Sequence, residues 1–464
     1  MMLGGITLFL VLMTAIGYYA GRRVQTMEDY LVAGRKLPFW LAVPTIVATW
    51  FGAGSSMGVS GTVYNEGFYG VLSDPFGCTL ALLLTAAVFA GPMRRLKLFT
   101  ISDLLRDRYG VAFERTATLL MVPFYIGTLA AQMVAMGYIF EILTGIDPMI
   151  GMMIGSVIVV GYTVFGGMWA VTLTDLVQLV ILIAGMVIIL PAVFNQLPHP
   201  QHVVDEMGRQ FGMLGPRQET GLLAYIGRIG MTSLGAIMGQ DLLQRIFACR
   251  SEAVARSSAF TSAILYFSLG LIPLFIGLAG REIYPSLDNP EQLIPLIARE
   301  SLSPFLFTVF ACGLFSAIMS TADSYLLAGT SLITHNLILP LRPLYSEHKK
   351  ITLLRSVSIA CALTAFCLAL SGQTIFNLIV HSGATLFVAI FVPATAALFS
   401  DWDSPLSAWS ALLCGLGGWL TYLFFNLPLT EEILFAAAAT GALTSHIGYF
   451  LSTFLMRIPI IERT

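Results

Sequence analysis

The sequence predicts an all-α membrane protein that crosses the bilayer about thirteen times. Hydrophobic residues make up 57% of the 464 residues, and only 11% are charged. A soluble fold of this composition could not cover its surface with polar side chains. Apolar runs of about 20 residues, enough to cross a hydrocarbon core of about 30 Å, recur along the whole chain. We therefore expect a single membrane domain, residues 1–464, with the lipid bilayer as its solvent.

The first apolar run, residues 3–20, has the length of a signal peptide. No Lys or Arg precedes it, and Arg22 and Arg23 follow it, so we interpret it as a retained first span. The predicted spans cover residues 3–20, 40–63, 71–92, 115–143, 148–166, 173–195, 222–247, 257–280, 303–334, 351–371, 374–399, 406–426 and 430–456. The loops near 196–221 and 281–302 are amphipathic and predict short surface helices.

The basic residues indicate the orientation in the cell membrane. With residue 1 outside, 19 of the 24 Lys and Arg fall on the inside, and the other five lie in or beside the two long outside loops. Cytoplasmic loops carry such an excess of positive charge. We expect the N-terminus outside and the C-terminus in the cytoplasm. A net charge of -2 excludes a basic nucleic-acid surface, and no obligate protein partner is indicated.

Two spans contain glycine-rich motifs that predict broken helices. The second span contains FGAGSS at 51–56, and the seventh contains SLGA at 233–236. A break at membrane depth frees backbone groups that must bind protein, water or an ion. Five spans separate the two motifs, as in a transporter built from two inverted five-helix repeats. Glycine also serves close helix packing in membranes, but the matching positions favour a binding centre.

The ninth span presents a polar face. Ala317, Ser320, Thr321 and Ser324 are spaced i, i+3, i+4 and i+7, which places them on one side of a helix. Their hydroxyls, with carbonyls freed at the first break, would supply the oxygen ligands that sodium requires. The alternative is that these hydroxyls bond only to their own helix.

Asp74, Asp175 and Asp323 each fall within a predicted span, where an ionisable group indicates function. Asp323 lies between Thr321 and Ser324 in the ninth span, and Asp175 begins the sixth, where it could also be an anion at a helix N-terminus. Asp74 lies one helical turn before Cys78 and could offset the charge of a cationic solute. Alternatively, Asp74 is an acid that reaches the outer surface of the membrane.

Four sequence blocks together carry a family resemblance. They are DYLVAGR at 29–35, GGM to TD with Gln178 at 166–178, Gln240 with the QR pair at 244–245, and MSTADS at 319–324. In this order and spacing the chain resembles the sodium:solute symporter family. The resemblance implies a LeuT-like core of two inverted repeats and uphill solute entry driven by sodium. It divides the chain into an extra N-terminal helix and cytoplasmic loop (1–39), two five-helix repeats (40–195 and 222–399) and two C-terminal helices (400–464).

The resemblance also implies the sites for sodium, the co-transported ion. The principal site would comprise the carbonyls of Ala48, Phe51 and Ala317 with the hydroxyls of Ser320 and Thr321. A second sodium would lie near Asp175, Asp323 and Ser324, although the family often has serine where this chain has Asp323. The expected solute pocket lies between the breaks and is lined by Trp50, Gly54, Ser55, Asp74, Thr232, Ser233, Gly235 and Gln240.

Within the family the chain is most similar to the high-affinity choline transporters, through 48–52 and 319–324. Those proteins enclose a quaternary ammonium group with aromatic rings, as cation–π attraction favours. The corresponding positions here are Trp50, Cys78, Thr128 and Gly239, of which only Trp50 is aromatic. The partner is therefore expected to be a small organic solute, with a cationic solute as one option.

These features predict sodium-coupled symport of a small organic solute into the cell by alternating access. The alternatives are a carrier that is proton-coupled or sodium-independent, in which Asp175 or Asp323 titrates, and a transporter-like sensor. The sequence contains no nucleophile–base pair or metal motif, so an enzyme is not expected.

Overall fold

The computed structural model describes residues 2–216, 221–371, 383–401, 404–428 and 430–455. Within these ranges the chain folds into helices that we number in chain order. They are α1 (Met2–Gly21), α2 (Met27–Val32), α3 (Phe39–Trp50), α4 (Val59–Glu66), α5 (Leu72–Leu96), α6 (Ile101–Tyr109), α7 (Val111–Thr144), α8 (Pro148–Gln196), α9 (Pro200–Gly212), α10 (Gly221–Gly230), α11 (Gln240–Ala248), α12 (Glu252–Ile283), α13 (Leu293–Ser301), α14 (Pro304–Leu341), α15 (Glu347–Ala369), α16 (Gly383–Phe399), α17 (Pro405–Phe425) and α18 (Glu431–Leu455).

The predicted polytopic all-α fold is confirmed. In the described part of the chain, 10 helical stretches are long and apolar enough to cross a membrane, and one of them, Gly221–Met238, includes α10 and the turns after it. Helices α3 and α16 are shorter apolar helices. Helix α8 has 49 residues, or about 74 Å at 1.5 Å per residue, enough for two crossings. Together these elements account for the thirteen predicted spans, although residues 374–382 of the eleventh lie outside the described residues. The surface helices expected near 196–221 and 281–302 are α9 and α13.

Helix α8 changes direction at Gly167, between the predicted fifth and sixth spans. Gly167 has φ 50° and ψ -140°, a conformation that L residues with a side chain rarely adopt. A Cβ atom there would lie 2.5 Å from the carbonyl oxygen of Tyr30. Glycine is therefore required both for the bend and for the close approach of α2.

The first predicted helix break is present, and the second lies at Gly239, three residues beyond the predicted SLGA motif. Helix α3 ends at Trp50, Phe51 and Gly52 are not helical, and a helical segment resumes at Gly54 and continues into α4. The second break follows α10 through single turns over 231–238, and Gly239 is extended with φ -64° and ψ 128° before α11 begins. These two breaks position the site described below.

A third break, which the sequence did not predict, interrupts α5. Asp74 has φ -144° and ψ 121°, an extended conformation inside an otherwise helical segment. The helix continues after Pro75, which has no N–H group to donate and is tolerated where a helix turn begins. The break lies beside the first predicted one in space, because Asp74 contacts Ser55.

The halves of the two broken helices pair on opposite sides of the breaks. Leu37, just before α3, forms a parallel bridge with Cys249, just after α11. On the other side, the end of α4 approaches α10, where Glu66 and Arg228 lie 3.7 Å apart. Helix α14 is the most enclosed of the ten long helices, with 83% of its apolar window buried. It therefore forms the centre of the bundle, against which α7 and α8 pack.

Candidate functional site

A cavity of about 250 Å³ lies between the two helix breaks. Its walls come from the end of α3, the two breaks, α4, α5, α7, α12 and α14, with contributions from the turn before α13 and from α16 and α18. The lining residues used below are Trp50, Gly54, Ser55, Asp74, Cys78, Phe124, Thr128, Thr232, Tyr266, Glu291, Thr321, Tyr325 and Phe435.

The first break brings backbone carbonyls to the polar face of α14. The Gly52 N–H, which would bond to Ala48 in a continuous helix, instead donates to the Trp50 carbonyl at 2.8 Å. The Ala48 carbonyl is thereby freed for another partner. The Thr321 Oγ1 lies 3.4 Å from the Ala48 oxygen and 3.1 Å from the Ala317 oxygen.

The remaining residues of the predicted principal sodium site adjoin this contact. The Ser320 Oγ donates to the Ala317 oxygen at 3.0 Å. Phe51, the residue that follows α3, is fully buried. A Cβ atom at Gly52 would lie 2.5 Å from the Thr321 Oγ1, so glycine permits the approach. The site offers only carbonyl and hydroxyl oxygens, the ligand type that suits a hard cation such as sodium.

A second cluster contains the two predicted membrane aspartates. The Thr45 hydroxyl donates to Asp175 Oδ2 at 2.5 Å, and the Tyr162 hydroxyl donates to Asp323 Oδ2 at 2.6 Å. The Ser324 Oγ lies 3.3 Å from Asp323 Oδ1. Asp175 Oδ1 is buried and has no hydrogen-bond partner among the described residues. This oxygen is available to a cation.

Arg245, one of the 19 basic residues counted on the inside, is part of this cluster. The side chain is fully buried and donates from Nη2 to the Ser324 Oγ at 2.5 Å. It lies close enough to Asp175, Asp323 and Asp241 to interact with their charges. A buried charge needs such partners. The structure therefore places the guanidinium of Arg245 among three carboxylates.

Five of the residues expected to bind solute line the cavity: Trp50, Gly54, Ser55, Asp74 and Thr232. Asp74 accepts a hydrogen bond from the Ser55 hydroxyl at 2.5 Å and one from the Tyr266 hydroxyl at 2.9 Å. Both donors are neutral, so they orient the carboxylate without cancelling its charge.

The other three residues expected to bind solute, Ser233, Gly235 and Gln240, lie behind the cavity wall. The Ser233 hydroxyl donates to the Ile229 carbonyl, and Gly235 packs against Phe387. Gln240 is fully buried and bonds to the backbone of Phe99 and Ile101. The chain turns at Gly239, which directs α11 away from the cavity.

Aromatic rings surround the cavity at positions that the sequence did not indicate. Besides Trp50, the walls contain Phe124, Tyr266, Tyr325 and Phe435. Cys78 and Thr128, the positions that are aromatic in the choline-transporter pattern, also line it, but Gly239 does not. The rings come from α7, α12, α14 and α18 rather than from those positions. Hydropathy alone could not distinguish them from packing residues of the same helices.

The charged side chains lining the cavity are both acidic. Asp74 and Glu291 are the carboxylates, and no Lys, Arg or His is among the described lining residues. Arg228 lies near one end, but it is within 4 Å of three carboxylates, those of Glu66, Glu431 and Glu432. The described side chains of the cavity wall therefore include two acidic groups and no basic one.

A family model described as the sodium:solute symporter family matches residues 30–414. The chain belongs to the sodium:solute symporter family. Among curated relatives, the high-affinity choline transporter 1 of Drosophila melanogaster is 27% identical over 83% of this symporter and 65% of its own length. The human high affinity choline transporter 1 is 26% identical over 89% of this chain and 75% of its own. The sodium/pantothenate symporter of Escherichia coli is 27% identical over 72% of each chain.

Solved structures share the fold of this symporter. A sodium-coupled sialic acid symporter, in a substrate-bound outward-open state, aligns with a TM-score of 0.86 at 18% identity, covering 98% of this chain and 97% of that one. Mhp1, a nucleobase-cation-symport-1 family transporter, aligns with a TM-score of 0.60 at 14% identity over 92% and 95%. The predicted LeuT-like fold is confirmed.

Family membership also confirms the predicted class of protein, a sodium-coupled symporter with sodium as the co-transported ion. The relatives named above are transporters. The symporter is a multi-pass membrane protein, as its ten long apolar helices in the described ranges indicate. It spans 65% of the length of the Drosophila relative.

Proposed function

We propose that this symporter carries a small organic cation into the cell together with sodium. The observation that supports the solute class is the cavity itself, which combines two carboxylates with five aromatic residues and offers no basic side chain among its described lining. Aromatic faces attract quaternary and other organic cations, and a carboxylate at the same site compensates their charge. Asp74, on the unpredicted break of α5, is the group we expect to face the charged end of the solute.

The relatives support the same class without fixing the solute. Several relatives at 26 or 27% identity are choline transporters by name, and choline is a quaternary ammonium. The pantothenate symporter suggests an anionic solute instead. An anion would face Asp74 and Glu291 with no described basic group in the cavity wall to pair with, which is unfavourable.

Sodium would bind first at Ala48, Phe51, Ala317, Ser320 and Thr321. An ion there would join the end of α3 to the centre of α14 and thereby stabilise the arrangement of the cavity. Thr321 also lines the cavity, so the ion and the solute would share a wall. Sodium would then raise solute affinity, and solute would raise sodium affinity by the same factor.

A second sodium would bind at Asp175, Asp323 and Ser324. Asp175, Asp323 and Asp241 all lie near the single guanidinium of Arg245, so the cluster carries an excess of negative charge that a sodium ion would reduce. The unpartnered Asp175 Oδ1 supports this assignment. We accordingly propose two sodium ions per solute.

The repeats would comprise 40–195 and 222–399, preceded by 1–39 and followed by 400–464. Each repeat then begins with a broken helix. Arg35 donates to the carbonyls of Lys97 and Leu98 and lies near that of Phe247. The loops that hold much of the positive charge thus share one side, which supports a cytoplasmic assignment with the N-terminus outside and the C-terminus inside.

Uptake by the purified symporter in proteoliposomes tests this proposal. Radiolabelled choline, its neutral isostere 3,3-dimethylbutan-1-ol and pantothenate are each offered under an inward sodium gradient, a potassium gradient or a proton gradient. We expect concentrative uptake of the cation with sodium only. Uptake driven by protons would overturn sodium coupling, and preference for the neutral or anionic solute would overturn the solute class.

A further inference from the structure

Glu291 lies on a turn that covers one end of the cavity. The turn, Pro290–Gln292, connects α12 to α13, and the Asn289 side chain caps it by accepting from the Glu291 N–H at 3.2 Å. It packs on α4 at Gly61, where a Cβ atom would lie 2.9 Å from the Glu291 nitrogen and 3.0 Å from the Pro290 carbonyl carbon. The absence of a side chain at Gly61 thus lets the turn reach the cavity.

Unlike the acidic residues nearby, Glu291 is not paired with a basic side chain in the described parts of the chain. Glu66, Glu431 and Glu432 lie within 4 Å of Arg228, which also lies over the rings of Tyr69 and Phe435. Glu291 makes no ion pair within the described parts of the chain, and burial raises the pKa of its carboxyl group. A cation that reaches this end of the cavity would therefore meet one carboxylate that is not already compensated.

We propose that Glu291 captures the organic cation at the outer end of the cavity before the solute reaches Asp74. This inference rests on the proposed function, since it requires a cationic solute. The two carboxylates line one continuous cavity, and the 281–302 loop lies outside in the proposed orientation. A carboxylate at the entrance of a cavity with low-dielectric walls raises the local concentration of a cation and its rate of entry. Glu291 is thus a specificity-determining residue for entry, and Asp74 for the bound state.

The test compares Glu291→Gln with Glu300→Gln in the full-length symporter in proteoliposomes. Glu300 is exposed on α13 in the same loop and accepts from the Tyr284 hydroxyl, so its replacement removes equal charge away from the cavity. For choline uptake at low ionic strength, Glu291→Gln should raise KM about three- to tenfold with kcat unchanged. The difference should shrink at high salt because screening weakens the attraction. Glu291→Asp should recover part of the loss.

The outcomes separate this inference from the proposed function. Wild-type protein that does not transport choline but transports the neutral isostere overturns both. Choline uptake with the same KM in Glu291→Gln and Glu300→Gln overturns the capture role alone. An equal rise in KM for the neutral isostere would indicate a displaced turn, and a shift in the sodium dependence alone would indicate capture of the ion. Both results contradict the proposal, whatever the melting temperature of the variant.

Discussion

The indole Nε1 of Trp50 donates a hydrogen bond to Asp241 Oδ2 at 2.6 Å. This contact joins the last residue of α3 to the first turn of α11, and so connects the two helix breaks directly. Asp241 is buried, its Oδ1 lies 3.4 Å from the Tyr125 hydroxyl, and its carbonyl accepts from Arg245 at 2.8 Å. Trp50 also lines the cavity. One side chain therefore contributes both to the cavity wall and to the contact between α3 and α11.

Substitutions at Trp50 separate these two roles. Trp50→Ala removes an aromatic face worth about 0.5 to 2 kcal/mol to a bound cation, so solute binding should weaken by up to about thirtyfold. Sodium binding without solute should be nearly unchanged. Trp50→Phe keeps a ring but removes the donor to Asp241. The melting temperature of this variant should therefore fall, while its solute affinity should stay close to that of the wild type. Unchanged solute affinity in folded Trp50→Ala protein, measured by calorimetry, would leave Trp50 with a packing role only.

The principal sodium site predicts that two substitutions on α14 change the sodium dependence of uptake to a similar extent. Ser320→Ala and Thr321→Ala each remove one oxygen from a desolvated cation, which costs about 1.4 kcal/mol. Each should raise the sodium concentration for half-maximal uptake about tenfold. Thr330→Ala is the control. Thr330 lies further along α14, and its hydroxyl bonds to Ser358 of α15. Sodium dependence that is the same in all three variants would place the ion elsewhere.

The second sodium site is tested by the Hill coefficient for sodium. Asp175→Asn and Asp323→Asn keep the side-chain shape but remove the charge that compensates both the ion and Arg245. With two sodium ions per cycle, the wild-type coefficient should exceed one, and each substitution should lower it towards one. A wild-type value near one that neither substitution changes would indicate a single sodium and a structural role for the pair.

The fold could be predicted largely because the bilayer imposes it. Span lengths follow from the thickness of the hydrocarbon core, and breaks follow from glycine at membrane depth. The break at Asp74 carries no such signal, since DPFG at 74–77 also fits the end of a span. Helical spacing predicts that Asp74 and Cys78 lie on the same face of a helix, and both residues do line the cavity. The backbone is extended at Asp74, however, so regular helix geometry does not explain why they lie together.

The aromatic wall and the charge pairing could not be predicted, because they depend on contacts between distant parts of the chain. Tyr266 reaches Asp74 across 192 residues, and Arg245 reaches Ser324 across 79. No local pattern encodes either contact. Arg245 also shows the limit of charge counting, since its charge is one of the 19 counted on the inside, whereas its side chain is fully buried.

The surface helix α6 provides a test of stability against pH. Burial would raise the pKa of Asp103, but the hydrogen bond and positive charge of His335 and backbone donors from Thr100 and Phe99 outweigh it and hold this pKa below the ordinary 3.8. A carboxyl group whose pKa is lowered on folding stabilises the folded state above its unfolded-state pKa and loses that effect as the pH falls through its folded-state pKa. Asp103→Asn should therefore lower the melting temperature at neutral pH, and the difference from wild type should diminish in acid below 3.8.

The control for this experiment is Asp107→Asn, an exposed position on the same helix. That variant should melt as the wild type does at every pH, because an exposed carboxylate contributes little. Equal melting temperatures for Asp103→Asn and wild-type protein at neutral pH would show that the contact between His335 and Asp103, 2.9 Å in length, does not stabilise the fold.

Asp74 provides the most direct test of the solute class. Asp74→Asn keeps the size of the side chain and an oxygen that can accept from Ser55 or Tyr266, but it removes the negative charge from the cavity. A charged contact of this kind is worth about 1.5 to 3 kcal/mol, so affinity for choline should fall roughly ten- to hundredfold. Affinity for the neutral isostere 3,3-dimethylbutan-1-ol should be retained, which reverses the preference of the site. Asp288→Asn, at an exposed loop position, controls for the loss of charge alone. Competition binding on purified protein at fixed sodium gives both affinities, and wild-type affinity for choline in Asp74→Asn would exclude this carboxylate as the partner of the solute.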